Sequence, residues 1–141
     1  FYTSAYGIIA KIAEEIRECI LVVILDAECV TYDIIEHDMG ELHALVNRCN
    51  AFAVGSPTLN RDAVPPVWNL LAGIDAINSG KKPVLVFGSY GWTGEAVANI
   101  QARLMGLKMS VFEDGFKVNF VPTVEDLEAA RDMGRRFAQS F

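Results

Sequence analysis

Three short stretches of this chain hold the residues best suited to bind a ligand and support chemistry on it. The first is Thr3-Ser4-Ala5-Tyr6-Gly7. The second is Gly55-Ser56-Pro57-Thr58-Leu59-Asn60, and the third Gly88-Ser89-Tyr90-Gly91-Trp92-Thr93-Gly94-Glu95. The first stretch opens a segment of helical periodicity. A helix N-terminus offers free N–H groups and a partial positive charge, which suits a phosphate. The Thr3 and Ser4 hydroxyls add donors, and Gly7 allows close backbone approach. The loop lacks both the lysine-bearing P-loop pattern and Gly-x-Gly-x-x-Gly, which argues against nucleotide hydrolysis and dinucleotide binding. A plain strand-to-helix turn is the simpler reading of the same residues. In the third stretch, glycines flank Tyr90 and Trp92 and would expose both rings at the mouth of a site. Exposed aromatics beside flexible backbone suit a flat ligand that stacks. Packing against a neighbouring subunit or domain is the competing reading.

These stretches need elements to position them. Residues 1–3 read as the stub of a strand and residues 4–7 as a loop. Ile9, Ile12, Ala13 and Ile16 recur at helical spacing over residues 9–19. Residues 21–25 either extend that helix or begin a strand, and residues 28–34 are strand-like. A helix is expected over 41–49, a buried strand over 51–55, and a helix over 67–77 entered through Pro65-Pro66. Residues 83–88 are apolar on both faces, as a central parallel strand must be. A helix over 94–104 follows, then a last strand in two parts, 109–112 and 116–120. Thr123 opens the final helix, with Asp126 completing a capping box. Strands that alternate with helices predict an α/β, three-layer, doubly wound domain with a five-stranded parallel sheet of order 2-1-3-4-5. Ligands of such sheets bind outside the carboxyl ends of the strands. All three stretches leave predicted strands there. No repeat or linker divides residues 1–141, so one domain is expected.

Composition narrows the partners. Hydrophobic residues make up 52% of the 141-residue chain and charged residues 21%, which is an ordinary folded protein. A net charge of -6 argues against a nucleic-acid surface. Cys19, Cys29 and Cys49 show no paired spacing and read as reduced thiols, so a cytoplasmic setting is expected. The apolar run 19–25 is far short of the ~20 residues that span a bilayer, and no membrane partner is expected. Glu36, His37, Asp38, Glu41 and His43 read as a solvated polar connection rather than a metal site. Trp68 reads as a packing anchor, and Arg131, Arg135 and Arg136 as a solvated face. A phosphoacceptor domain would need acids at the first strand end, where Thr3-Ser4-Ala5 stands instead. The chain starts inside an expected strand, which suggests a piece of a longer polypeptide.

The motifs Ser4-Ala5-Tyr6-Gly7, Gly55-Ser56-Pro57-Thr58 through Asn60-Arg61-Asp62 to Pro65-Pro66-Val67-Trp68, and Phe87-Gly88-Ser89-Tyr90-Gly91-Trp92-Thr93-Gly94-Glu95-Ala96 carry a family likeness. With Val118-Asn119-Phe120 and Pro122-Thr123, they resemble the flavodoxin-like FMN domain of flavodiiron proteins, also called A-type flavoproteins. The resemblance implies a flavodoxin-like sandwich that binds FMN and relays electrons for an oxidoreductase that reduces oxygen or nitric oxide. It also implies roles. Ser4, Ala5, Tyr6 and Gly7 would line the FMN phosphate; Pro57, Thr58 and Asn60 the isoalloxazine and ribityl side; Ser89, Tyr90, Gly91, Trp92 and Gly94 the second ring-binding loop. The implied partners are a diiron domain of metallo-β-lactamase type, in the parent protein or its dimer mate, and a redox donor protein or reductase. The His-x-Glu-x-Asp-His segment of that diiron domain is absent from these residues. A free-standing flavin quinone reductase shares the fold but not the Tyr90-Gly91-Trp92 loop. One departure stands out. Where the family continues after the glycine with Asn and Thr, this chain has Ile8 and Ile9, and neither side chain donates a hydrogen bond. A lost hydrogen bond to a charged group costs about 1.5–3 kcal/mol, roughly ten- to a hundredfold in affinity. Weakened FMN binding is therefore expected. The alternative is an interaction module of the same fold with a degenerate phosphate site.

Overall fold

The computed structural model describes residues 1–141. Its centre is the strand β2 (Pro83–Tyr90), whose residues from Val84 to Ser89 are all buried. β1 (Phe52–Pro57) runs parallel to it, with Phe52 opposite Val84 and Pro57 opposite Ser89. On its other side, β2 pairs in parallel with two short strands in succession. β3 (Ser110–Val111) lies against Pro83 and Val84, and β4 (Phe116–Asn119) against Phe87 to Tyr90. The expected interrupted last strand is therefore present in both its parts.

Alternation along β2 divides the core. Val84 and Val86 enter a cluster with Leu42, Val67, Leu70, Ile100 and Leu104. Leu85 and Phe87 enter a second cluster with Ile9, Ile12, Ile16, Met133 and Phe137. A period-2 strand buried on both faces needs a helical layer on each side. The first cluster is covered by α2 (Met39–Arg48), α3 (Pro65–Ala72) and α4 (Glu95–Gly106). The second is covered by α1 (Ile8–Val23) and α5 (Val124–Gln139). Thr123 and Asp126 form the capping box that opens α5. Arg131 of α5 pairs with Glu15 of α1, and Arg136 pairs with Asp132 and with Glu113 ahead of β4. These arginines thus tie elements together and are more than a solvated face.

Several expectations need correction. The sheet has four strands, not five. Residues 1–3 and 28–34 contribute only single parallel bridges, from Tyr2 to Asp33 and from Tyr2 to Gly55. The spatial order still runs Asp33, Tyr2, β1, β2 and then β3 with β4. A strand persists only where its backbone finds a partner ladder, and residues 28–31 have none. Ile34–Glu36 instead forms a 3₁₀ turn capped by Asp33. Residues 21–23 extend α1. The third helix stops at Ala72, short of residue 77, because the Asp75 carboxylate takes the N–H groups of Ile77 and Asn78 into a local turn.

Helices α1 and α5 cross at Gly134. A Cβ there would lie 2.9 Å from the Ile16 carbonyl oxygen and 3.1 Å from its Cα. Gly134→Ala is expected to destabilise the protein by about 1–3 kcal/mol in urea titrations through overpacking. An exposed helical site would instead gain about 1 kcal/mol from the same change, so the sign of the shift checks the close approach.

Candidate functional site

The second and third sequence stretches begin inside β1 and β2, which run on to Pro57 and Tyr90 rather than ending at residues 55 and 88, and continue past them as loops. The Thr58 N–H donates to Ser89 O at 2.8 Å, and Phe120 N–H to Tyr90 O at 2.9 Å. Thr58 Oγ1 accepts from Ala96 N–H at 3.3 Å, which ties this loop to the head of α4. Ser56 is buried; its hydroxyl donates to Pro57 O at 2.8 Å and accepts from Val64 N–H at 3.2 Å. Leu59 and Asp62 close a tight turn in which Asn60 and Arg61 both have positive φ. Asp62 braces that turn, accepting from Ala63 N–H at 2.8 Å, Asn99 Nδ2 at 3.0 Å and Trp68 Nε1 at 3.1 Å. Trp68 is thus the anchor expected of it.

The first loop arrives from the side. Tyr2 and Thr3 are held between Tyr32 and Gly55 by backbone bonds, and α1 begins at Ile8. Gly7 caps α1 with φ 79°, a left-handed conformation that favours glycine, and no side chain caps the helix there. None of the backbone N–H groups from Ser4 to Ile9 has an acceptor in the protein. The Ser4 hydroxyl accepts only a long bond from Ala10 N–H at 3.4 Å. Thr3 Oγ1, one residue earlier, is buried with no partner at all.

Between the three loops lies a cavity of about 520 Å³, within the size range of small-molecule sites. Of the residues singled out from sequence, Ala5, Tyr6, Pro57, Thr58, Asn60, Ser89, Tyr90, Gly91 and Trp92 line it. Ser4, Gly7 and Gly94 do not: Ser4 and Gly7 sit at the head of α1, and Gly94 caps α4. Leu59, Arg61, Thr93 and Phe120 also line the cavity and were not among those candidates. The Asn60-Arg61 turn signal could have found Arg61, and the end of the last strand Phe120. Ile8 and Ile9 form part of the wall, and Ile9 is only 1% exposed because it also belongs to the core beneath. Tyr6 is 91% exposed and Trp92 95%, so no packing within this chain accounts for either ring.

Charge gathers at the third loop. Lys117 Nζ stands 5.7 Å from the centroid of the Tyr90 ring. Glu95 opens α4. The Thr93 hydroxyl and its own backbone N–H hold its carboxyl below the usual carboxylate range, and Arg61 and Lys117 add to the effect. The other residues considered have structural positions. Asp38 caps α2 by accepting from Glu41 N–H at 3.1 Å, and His43 Nε2 lies 2.9 Å from Asn69 O. Burial pushes the Cys49 thiol up, and its Sγ donates to Val46 O at 3.4 Å. No helix is long and apolar enough to cross a membrane.

Comparison with known proteins places this architecture. The profile of the flavodoxin family matches residues 1–134. The chain is 46% identical over 140 residues to the flavo-diiron protein FprA2 of Clostridium acetobutylicum, covering 99% of this chain and 35% of that protein. It is 33% identical to the anaerobic nitric oxide reductase flavorubredoxin of Aeromonas hydrophila, covering 100% of this chain and 28% of that protein. Rubredoxin oxygen:oxidoreductase from Desulfovibrio gigas superposes with a TM-score of 0.87 at 27% identity, over 99% of this chain and 34% of that one. The chain spans about a third of the length of these proteins.

The depressed Glu95 pKa has a sign that can be tested. A carboxyl lowered in the folded state contributes stability above its unfolded value, near 4.5, and loses it as pH falls through the folded value. Glu95→Gln is expected to flatten the pH dependence of unfolding below about pH 4.5 and leave its shape above that pH unchanged, as read by urea titrations across the acid range.

Proposed function

The chain belongs to the flavodoxin family, and on that premise we propose that it holds FMN across the carboxyl ends of β1 and β2 as the electron-relay domain of a flavodiiron-type oxidoreductase. The observation that carries this reading is the run of unpartnered backbone N–H groups from Ser4 to Ile9, set beside a cavity flanked by two exposed aromatic rings. N–H groups gathered at an accessible helix head are well placed to hold an anion. The orphaned Thr3 hydroxyl points to the same need. The residues present therefore fit the FMN phosphate, even without the side-chain donors that Ile8 and Ile9 replace.

When bound, FMN supplies reversible one- and two-electron transfer. This chain's residues do the rest. Ser4, Ala5, Tyr6 and Gly7 would hold the phosphate, through backbone N–H groups and the Ser4 hydroxyl. Pro57, Thr58 and Asn60, which line the cavity, would meet one side of the ring system and ribityl chain. Ser89, Tyr90, Gly91 and Trp92 would meet the other, with Gly94 behind them at the head of α4. Arg61 and Lys117 keep positive charge near the mouth, which favours the more negative forms of a ligand. The 141 residues are one domain of a longer polypeptide in this reading. A diiron domain of that protein or of its dimer mate receives the electrons for reduction of oxygen or nitric oxide. A redox donor protein or reductase delivers them.

Ile8 and Ile9 favour a second reading, an interaction module in which the fold outlived the phosphate site. The core position of Ile9 gives this reading its weight, since a residue committed to packing is not available as a donor. Flavin titration separates the two. FMN fluorescence is expected to quench saturably on addition of the chain, more tightly than riboflavin, which lacks the phosphate. Ile8→Asn with Ile9→Thr is expected to tighten FMN about ten- to a hundredfold and leave riboflavin unchanged. If neither chain quenches FMN, the relay reading falls. If both bind FMN equally, positions 8 and 9 are irrelevant to the phosphate.

A further inference from the structure

Lys117 is exposed, yet it stands in an unfavourable place for a surface lysine. It lies opposite Gly88 in the register of β4 on β2, next to Val118, which is buried in the core under α1 and α5. Side chains alternate along a strand, so Lys117 projects into the other layer, toward the head of α4. That head is the positive end of a helix dipole, which disfavours a cation. Lys117 takes part in none of the ion pairs of the chain. The group it meets is the Tyr90 ring, whose centroid is 5.7 Å from Nζ. Gly94 makes room for this contact. A Cβ at Gly94 would lie 3.1 Å from Lys117 Cδ, 3.3 Å from Lys117 Nζ and 3.2 Å from Tyr90 Cδ1. Gly94 has φ -116°, so no left-handed turn calls for a glycine there. Its missing side chain serves the close approach.

We propose that Gly94 and Lys117 form a seat behind Tyr90, and that Lys117 is a positioning residue: it steadies that ring as the stacking wall for a flat, electron-accepting ligand and sets a positive charge behind it. The role toward a ligand rests on the FMN reading above. Tyr90 lines the cavity and Lys117 does not, so the lysine acts through the ring. A cation held over an aromatic ring is attracted by its electron-rich face. A ring held in this way loses less freedom when a ligand stacks on it. The gain falls on the flat end of the ligand. It does not fall on the phosphate, which the head of α1 would serve from the other layer of the sheet. The same charge favours the ligand after it has gained electrons, because reduction makes the ring system more negative. Gly94 thus gains a part in the site although it does not line the cavity.

The test has one arm without ligand and one with it. In the ligand-free chain, the NMR signals of the Lys117 ε-methylene are expected to be shifted upfield by the Tyr90 ring current. Tyr90→Leu is expected to abolish the shift and Gly94→Ala to reduce it. An unshifted ε-methylene overturns the seat. In the second arm, FMN and riboflavin are titrated by fluorescence quenching, and bound flavin is reduced beside a dye of known potential. Lys117→Met keeps the apolar stem and removes the cation. It is expected to weaken FMN and riboflavin alike, by about two- to fivefold, and to make bound flavin harder to reduce. Gly94→Ala is expected to act in the same direction with smaller effect. Lys117→Arg is expected to restore affinity and potential, since a guanidinium also stacks on an aromatic face. A loss confined to FMN overturns the proposal, because the lysine would then serve the phosphate. Unchanged affinity and potential in Lys117→Met, beside a parent chain that binds flavin, overturn it while the FMN reading stands. A parent chain that binds neither flavin overturns the FMN reading and the role of Lys117 with it.

Discussion

The structure depends on burying β2 on both faces at once. Val84, Leu85, Val86 and Phe87 are almost wholly removed from water, and each alternate pair enters a different core. A strand in this position cannot end in another buried element, because its last backbone groups still need partners. It ends instead at Ser89 and Tyr90, whose carbonyls are taken by Thr58 and Phe120. Those two bonds bring the second loop and the end of β4 to the third loop. The cavity is the space left where a fully buried strand meets solvent, and its lining is set by which loops answer the strand's carbonyls.

Two kinds of polar group remain at that end of the sheet. Those from the second loop are spent on structure: Ser56 on Pro57 and Val64, Thr58 on Ala96, and Asp62 on Ala63, Asn99 and Trp68. Those from the first loop are not. Ser4 to Ile9 present their N–H groups to no protein acceptor, at the positive end of α1. The contrast divides the cavity's surroundings into a hydrogen-bonded wall and a helix head whose N–H groups have no protein acceptor. Shape and charge therefore come from different loops. A change at Asp62 acts on the first, and a change at Gly7 acts on the second.

Much of this was legible in the sequence because the signals were local. The apolar run at 83–88 had no polar face, so only a central strand fits it. Thr123 with Asp126 marked the last helix through a capping box that the structure contains. The three loops stood out because glycine, hydroxyl and aromatic residues coincided with strand ends. What escaped was set by distance. The strand-like residues 28–34 have suitable composition, but strand pairing is a property of two segments, and their partner is a single residue, Tyr2. The end of α3 depended on an Asp75 carboxylate that competes for backbone N–H groups. Arg61 and Phe120 reach the cavity only through turns with positive φ, which residue type marks weakly outside glycine and asparagine.

The two ends of the sheet are linked through one short segment. Phe1, Tyr2 and Thr3 form the line from which the cradle departs, and their backbone bonds to Tyr32, Ile34, Ala53 and Gly55 are its attachment to the sheet. Ser4 to Gly7 carry no backbone bonds of their own until Lys11 N–H reaches Gly7 O at 3.1 Å. The position of the open N–H groups is thus inherited on one side from α1, which is fixed by its buried isoleucines, and on the other from this narrow ladder. The Ile8 and Ile9 side chains bear on the same helix head. Neither carries a hydrogen-bond donor, and Ile9 packs into the core beneath the head of α1.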